Sequence, residues 1–416
     1  MYHTIYKLSI YFLGFGMRVA SIFHPKAKLW VNGRKNVFTL IKDKIKPDNK
    51  VIWMHASSLG EYEQGLPVLT ALKERYPDYK FAISFFSPSG FEVVKDNTWA
   101  DLVFYLPLDT AYNAEMLIKN LHPEIAIFVK YDFWYNLLIR LSSTKIPIIF
   151  ISSVFRENQI YFKPVGKWMV SVLKNISCFF VQDEKSKILL NSIGIDKVIV
   201  SGDTRFDRVK MLLNRDNHLS WLEKFKDDHI LLVAGSTWKE DDIVLEKYVN
   251  LDTRLNCKWI IAPHNMDVEH IKNLKSELKL KTILYTEIID QNLDEFEVLI
   301  LDTVGLLTKV YSYADIAYVG GAFGKEGVHN VLEPAVFGSP VIFGPVYHKF
   351  IEAEELIQAG GAITIQNQSG FDIIISDLLK NKKLRNKIGH EAQNYVLSKP
   401  NSTQLILNYL ESFQII

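Results

Sequence analysis

The feature that most limits what this chain can fold into is a rhythm, and the chain states it twice. From residue 51 short apolar runs alternate with amphipathic stretches. The expected strands are Val51–His55, Phe81–Phe86, Leu102–Tyr105, Ile125–Val129, Ile146–Ser152 and Cys178–Val181, with helices at Glu61–Arg75 and Phe133–Ser142. After a charged stretch ending in a helix at Trp221–Lys226, the alternation restarts. Its strands are Ile230–Ala234, Trp259–Ala262, Thr282–Leu284, Val298–Leu301, Ile316–Val319, Pro340–Phe343 and Ala362–Ile365. Closing helices follow at about 384–397 and 403–413, separated by Pro400. Strand, helix, strand in steady succession predicts a parallel sheet with helices on both faces. Said twice in 416 residues, it predicts an α/β chain of two doubly wound domains, 1–205 and 206–416, the last helix able to cross back. Ligands in such folds sit beyond the carboxyl ends of the strands, and a cleft between two such domains is a natural place for them.

That location selects the loops to read. The first strand runs into "HASSLGE", where Ser57, Ser58 and Gly60 let a ligand approach the backbone and Glu61 opens a helix. An ionised Glu in a cleft can take a proton from a hydroxyl. It also stabilises a helix start by itself, and spacing alone favours that plainer role. "KYDFWYN" offers Lys130 as a partner for phosphate or carboxylate, with Asp132 as an ordinary helix cap. "SGDTRFDR" carries Arg205, whose planar fork suits carboxylate and phosphate, or which simply faces solvent.

In the second half, Gly235, Ser236 and Thr237 lie where a helix begins and can bond a phosphate or cap the helix. The stretch "YVGGAFGKEGVHNVLEPAVFGSPVIFGP" reads as strand, glycine loop, short helix from about Asn330 to Phe337, a stop at Gly338, and strand. A helix start beneath a glycine loop is an anion site, and Glu333 can hold the two hydroxyls of a ribose. The spacing is neither GxGxxG nor a P-loop. His264, Asp267 and His270 lack metal-ligand spacing, and the two histidines read as a surface pair. No GxSxG elbow of a serine hydrolase occurs.

The net charge of +1 gives no case for nucleic acid, but charge is unevenly spread. The first fifty residues hold ten Lys and Arg against Asp43 and Asp48, a local charge of +8 that leaves −7 for the rest. With the aromatic run "YKLSIYFLGFGMRVASIF", too short between its cations to span a bilayer, this segment suits an anionic membrane surface, or packs on its own domain. Cys178 and Cys257 form no paired motif and are expected as inert core residues.

"WMHASSLGE", "KYDFWYNLL", "AGSTWKEDD", "IIAPHN" and "GVHNVLEPAVFGSPVIFGP" together resemble the 3-deoxy-D-manno-octulosonic acid (Kdo) transferases of lipopolysaccharide synthesis, in family order and over nearly all the chain from residue 50. The resemblance implies a GT-B glycosyltransferase fold, CMP-Kdo as donor, and a phosphorylated lipid A precursor as acceptor. It implies work at the cytoplasmic face of the inner membrane, with no metal and no cofactor. Carried over by motif, Glu61 is the general base, and Lys130 and Arg205 stabilise the transition state. Pro263 and His264, Val304, Gly305 and Leu306, and Asn330, Val331, Leu332 and Glu333 hold the CMP moiety. The chain also departs from the family pattern. Lys130-Tyr131-Asp132 stands where Glu-Thr-Glu is common, "DTVGLL" replaces a Met-Gly-Glu centre, Arg205 replaces Lys, and His264 replaces Arg. Two rival functions stay open: another GT-B enzyme using a UDP-sugar, as transferase or 2-epimerase, and a non-catalytic protein that binds nucleotide or lipid.

Overall fold

The computed structural model describes residues 2–96, 99–251 and 256–412. The chain divides into two compact units, residues 1–208 with 400–416, and 209–399.

The first unit opens with three helices, α1 (Tyr2–Ala20), α2 (Pro25–Asn32) and α3 (Val37–Lys44). Seven strands follow: β1 (Val51–Ala56), β2 (Lys80–Phe85), β3 (Leu102–Tyr105), β4 (Ile125–Val129), β5 (Ile148–Ser153), β6 (Cys178–Val181) and β7 (Val198–Val200). Between them lie α4 (Leu59–Arg75), α5 (Pro88–Val94), α6 (Ala111–Leu121), α7 (Tyr135–Ser143), α8 (Lys167–Leu173) and α9 (Glu184–Ser192). After β7 comes α10 (Thr204–Met211). The strand order is β3-β2-β1-β4-β5-β6-β7, with every neighbouring pair parallel. The chain therefore reverses direction across the sheet between β1 and β4, the switch point where such sheets leave a crevice.

All six residues of β1 are buried, as expected for a central strand covered on both faces. Trp53 and Phe128 point into one core layer, while Ile52, Met54 and Ile127 point into the other. Helix α4 lies close on this sheet because of Gly65: a Cβ there would fall 2.2 Å from Met54 Sδ. The strand β7 is absent from the expected set. It is three residues long and only its first is fully buried, too brief for a hydrophobic pattern.

The second unit contains α11 (Ser220–Lys226), β8 (Ile230–Thr237), α12 (Lys239–Val249), β9 (Cys257–Pro263), α13 (Val268–Glu277), β10 (Thr282–Leu284) and β11 (Val298–Ile300). It continues with α14 (Leu307–Val310), β12 (Ile316–Val319), α15 (Leu332–Val336), β13 (Val341–Phe343), α16 (Ile351–Gln358), β14 (Ala362–Thr364), α17 (Gln368–Lys380) and α18 (Lys382–Ser398). Its sheet, ordered β10-β11-β9-β8-β12-β13-β14, is again all parallel, with a switch between β8 and β12. The architecture is thus two Rossmann-like halves, as the double rhythm predicts. The final helix α19 (Ser402–Ser412) belongs to the first unit, where Ile406, Leu407 and Leu410 pack with Val68, Leu69 and Leu72 of α4. The expected end of this helix at Phe413 lies outside the described residues.

Both cysteines are buried and free, and burial pushes each thiol up to about 12.

Candidate functional site

In the first unit the chain presents Ser57, Ser58, Gly60 and Glu61 at the end of β1 and Lys130 at the end of β4, the two strands that flank the switch point. Glu61 sits in the first turn of α4, and its Oε2 accepts the backbone N–H groups of Ser57 at 2.6 Å and Ser58 at 3.1 Å. Three residues after the cap is where a Glu reaches back to orphan amides. The structural role is therefore real, and it occupies one oxygen of the carboxylate. Burial raises the Glu61 carboxyl above its ordinary value, and Asp132 adds to this, while Lys130, the Ser57 amide and His55 pull it down. Gly60 has open space where a Cβ would stand, so room exists over this turn.

Lys130 takes a left-handed backbone, φ 66°, which turns the chain sharply off the strand. Its carbonyl accepts from Ser153 on β5. Asp132 is not the helix cap expected of it. The first amides of α7, Asn136 and Leu137, instead donate to Asp109 at 2.9 Å each. Asp132 is thereby left to receive His55 Nε2 at 2.8 Å, Trp134 Nε1 at 3.1 Å and the Ser57 hydroxyl. Trp134 is near in sequence, but His55 and Ser57 lie 77 and 75 residues away, which is why spacing alone misses them.

Arg205 follows β7 at the edge of the sheet, but the chain folds back before reaching it. The hydroxyls of Thr204 and of Ser152 on β5 lie 2.6 Å apart, next to the strand that carries Lys130. Arg205 Nε donates to the buried Asp203 at 2.7 Å, and Asp203 also receives Gln64 of α4 at 3.4 Å. Arg205 is thus neither loose nor simply solvated. It is tethered to the helix that carries Glu61.

In the second unit every expected nucleotide-binding residue lies at or past the carboxyl end of a strand: Gly235 to Thr237 close β8, Pro263 closes β9 with His264 just after it, Val304 to Leu306 follow β11, and Asn330 to Glu333 follow β12. Three local expectations need correction. Strand β8 does not open into a loop at Gly235. It continues to Thr237 through a bulge in which Ser236 adopts φ 55°. Thr237 is 1% exposed, so its hydroxyl does not reach a ligand. The start of α12 is already satisfied by Asp241, whose carboxylate accepts Trp238 N at 2.9 Å, Gly321 N at 2.7 Å and Tyr318 Oη at 2.6 Å. The helix expected over 330–337 shortens to α15, with Asn330 Oδ1 accepting Leu332 N at 3.1 Å and Glu333 Oε1 accepting Asn330 Nδ2 at 3.0 Å. Val331 and Leu332 are buried, which leaves only their backbone for a ligand.

The glycines of the loop serve the protein first. A Cβ on Gly320 would fall 2.4 Å from Ser236 O, and one on Gly321 2.3 Å from Gly327 O. The first lets the loop after β12 press against β8 at the switch point, and the second lets that loop fold back on itself. Upon that platform three rings stack: Trp238 on His264 at 4.9 Å and His264 on His329 at 4.4 Å, with Trp238 Nε1 donating to His329 Nε2 at 2.8 Å. Burial, helped by His264, holds His329 down to about 4 and therefore neutral. Trp238 and His329 were missed in the sequence because 91 residues separate them.

Of the two histidines read as surface residues, His264 is exposed, whereas His270 is half-buried and pairs with Asp242 at 2.8 Å; the exposed Asp267 caps α13. Among the described residues no cluster of His, Cys, Asp and Glu could hold a metal ion, and no helix is long and apolar enough to cross a membrane.

Comparison with known proteins gives concordant results. Residues 32–208 match the model of the 3-deoxy-D-manno-octulosonic-acid transferase (kdotransferase) family. The 3-deoxy-D-manno-octulosonic acid transferase of Chlamydia trachomatis serovar A is 27% identical over 405 residues, covering 94% of this chain and 91% of that protein. The transferase of the same description from Aquifex aeolicus is 28% identical over 348 residues, covering 82% of this chain and 90% of its own length. Among solved structures, the UDP-GlcNAc 2-epimerase from Neisseria meningitidis bound to UDP-GlcNAc superposes with a TM-score of 0.61 at 15% identity, over 87% of this chain and all of that one; this likeness is one of fold.

Proposed function

We propose that the chain, which belongs to the 3-deoxy-D-manno-octulosonic acid (Kdo) transferase family, is an inverting glycosyltransferase that moves Kdo from CMP-Kdo to a lipid A precursor. The observation that carries this reading is the likeness to a Kdo transferase over 94% of the chain, a span that takes in both units.

The second unit binds the donor. The backbone at Ser236 and at Val304 to Leu306, the Pro263-His264 turn and the first turn of α15 line one sheet edge and hold the CMP moiety, with Glu333 toward the ribose. The first unit binds the acceptor. Glu61 keeps Oε2 on its own amides and turns Oε1 to the acceptor hydroxyl. The hydroxyl proton passes to Glu61 as its oxygen forms a bond to the anomeric carbon of Kdo. The bond from that carbon to the phosphate oxygen breaks, and its electron pair leaves with CMP. The anomeric carbon becomes cationic beside the Kdo carboxylate, and negative charge grows on the leaving phosphate. Preorganised cations lower the energy of such a state, a role for Arg205 and Lys130. A base that acts only as the C–O bond forms needs no strongly raised proton affinity.

The acceptor is a phosphorylated lipid, so the reaction belongs at the cytoplasmic face of the inner membrane. The basic first fifty residues and the exposed apolar side of α1 dock on that anionic surface.

Mass spectrometry of the product from purified protein, CMP-Kdo and a tetraacylated lipid A precursor tests the reading. A product heavier by one or more Kdo residues is expected. Unchanged acceptor, in a protein whose melting point rises with UDP but not with CMP, overturns it.

A further inference from the structure

The first unit holds an extended polar cluster that the transfer step has not used. His55, wholly buried at the end of β1, has both ring nitrogens engaged, Nδ1 with Ser84 Oγ and Nε2 with Asp132 Oδ2, each at 2.8 Å. Trp53 Nε1, which can only donate, donates to Ser84 Oγ at 2.9 Å. In a neutral imidazole the Ser84 hydroxyl proton then goes to Nδ1, which puts the ring proton on Nε2 facing Asp132. The same Asp132 oxygen accepts from Trp134 Nε1 at 3.1 Å and from the Ser57 hydroxyl. Ser57 is the joint of the cluster. Its hydroxyl goes to Asp132, and its N–H goes to Glu61 at 2.6 Å.

We propose that Asp132 is a positioning residue for the base: acting through Ser57 it fixes how Glu61 is presented, and its negative charge strengthens Glu61 as a proton acceptor. The inference rests on Glu61 being the base. Two properties of the cluster support it. First, Asp132 stays ionised: burial alone would raise its carboxyl, but the bonds from His55, Ser57 and Trp134 bring it below the ordinary value. Second, its donors are an imidazole, an indole and a hydroxyl, and among the described residues no Lys or Arg is bonded to it to cancel its field at Glu61. The groups that face Glu61 are Asp132 from the β4–α7 loop, which adds to burial in raising its carboxyl, and Lys130 of that loop and His55 of β1, which lower it. Tyr6 of α1 and Tyr161 also feel Asp132, and both phenols are raised, chiefly by burial.

The test is the pH dependence of kcat/KM in wild type, Asp132→Asn, Asp132→Glu and Glu61→Gln. A base works only when deprotonated, so the rate climbs with pH through the base's own value. Removing a like charge lowers that value, and the acid limb of Asp132→Asn is expected to move down by ~1 pH unit or more, with a lower plateau. Asp132→Glu keeps the charge and keeps the limb in place. An unmoved limb in folded Asp132→Asn overturns the inference. Should that variant not fold, Ser57→Ala cuts the hydroxyl link while leaving both carboxylates in place. It is expected to lower kcat on the order of tenfold with KM for CMP-Kdo unchanged, and an undiminished kcat overturns the inference equally. Turnover retained in Glu61→Gln removes the base itself. Turnover lost there, with the limb unmoved in Asp132→Asn, removes only the role of Asp132.

Discussion

The amide nitrogen of Ser57 and Oε2 of Glu61 lie 2.6 Å apart, so the carboxylate offered as a base also closes the first turn of its own helix. The two roles use different oxygens, and substitution separates them. Gln can still accept the Ser57 and Ser58 amides but cannot take a proton. Glu61→Gln is expected to melt near wild type and to lose ~100-fold or more in kcat, the usual contribution of a positioned base. Glu61→Ala loses the cap too, at a cost of about 1 kcal/mol. Equal melting points for the two variants would refute the capping role, and wild-type turnover in Glu61→Gln would refute the base.

Stability follows pH through the same carboxyl. Burial, then Asp132, raises Glu61 above its ordinary value in the folded chain. A raised carboxyl favours the folded state while protonated, and this contribution is lost as pH rises through the folded value. Ionised Glu61 therefore costs stability at pH 8, and Glu61→Gln removes that cost. Melting of the first unit at pH 8 is expected at or above wild type for Glu61→Gln, with the advantage shrinking toward pH 4. An advantage that grows on acidification would contradict the sign.

These groups explain what the sequence disclosed and what it hid. The strands β3, β4, β6, β10 and β12 lie within the bounds their apolar runs predict, because buried parallel strands are continuous apolar runs. The loops at their ends were legible for a related reason: small, charged and Gly-rich residues are conspicuous where packing should continue. The side-chain network was not legible. His55 reads as one polar residue in an apolar strand until β1 is registered against β2, which sets it opposite Ser84. Asp132 reads as a cap until Asp109, on another loop, is found holding the start of α7. Thr237 reads as a phosphate ligand until β8 runs on through its bulge and buries the hydroxyl.

Asp109 also ties the amino-terminal helix to the site. Tyr6 Oη donates to Asp109 Oδ2 at 2.6 Å, and the Tyr6 ring packs on Tyr135 and Trp168. Tyr6→Phe keeps the ring and removes one bond to a buried carboxylate, a loss of about 1–2 kcal/mol. Faster amide exchange in α1 and in the first turn of α7 is expected, with the rest of the sheet unchanged. Unaltered exchange in both helices would show that the bond contributes nothing.

In the second unit the stacked rings make a prediction about protonation. His329 accepts from Trp238 at Nε2, so its own proton sits on Nδ1. Burial and His264 hold it down to about 4, below the ordinary 6.5. A depressed histidine gives stability that is present above the ordinary value and is lost as pH falls toward the folded one. Ring NMR at pH 6 is expected to find His329 neutral in the Nδ1–H form, and Trp238→Phe to raise its titration toward 6.5. An imidazolium signal at pH 6 in the wild type would refute this.

The outward side of α1 makes the last prediction. Ile5, Leu8, Tyr11, Phe12, Phe15 and Val19 are exposed along it, followed by Ile22 and Phe23, which are 73% and 84% exposed. Inward, Tyr6 bonds Asp109, and Gly14 sits where a Cβ would strike Leu108 at 2.6 Å, so the helix is seated by one side and bare on the other. Lys7, Arg18, Lys26 and Lys28 border the bare side in sequence. A bilayer with anionic headgroups answers both properties, since apolar rings enter the interface while cations stay at the phosphates. Full burial of one Phe is worth ~2 kcal/mol, so Phe12→Glu with Phe15→Glu should weaken sedimentation with phosphatidylglycerol vesicles by more than tenfold while CMP binding holds. Raising salt should weaken, but not abolish, wild-type sedimentation, because salt screens the lysines and leaves the rings. A double variant that sediments like wild type would rule out α1 as the docking element.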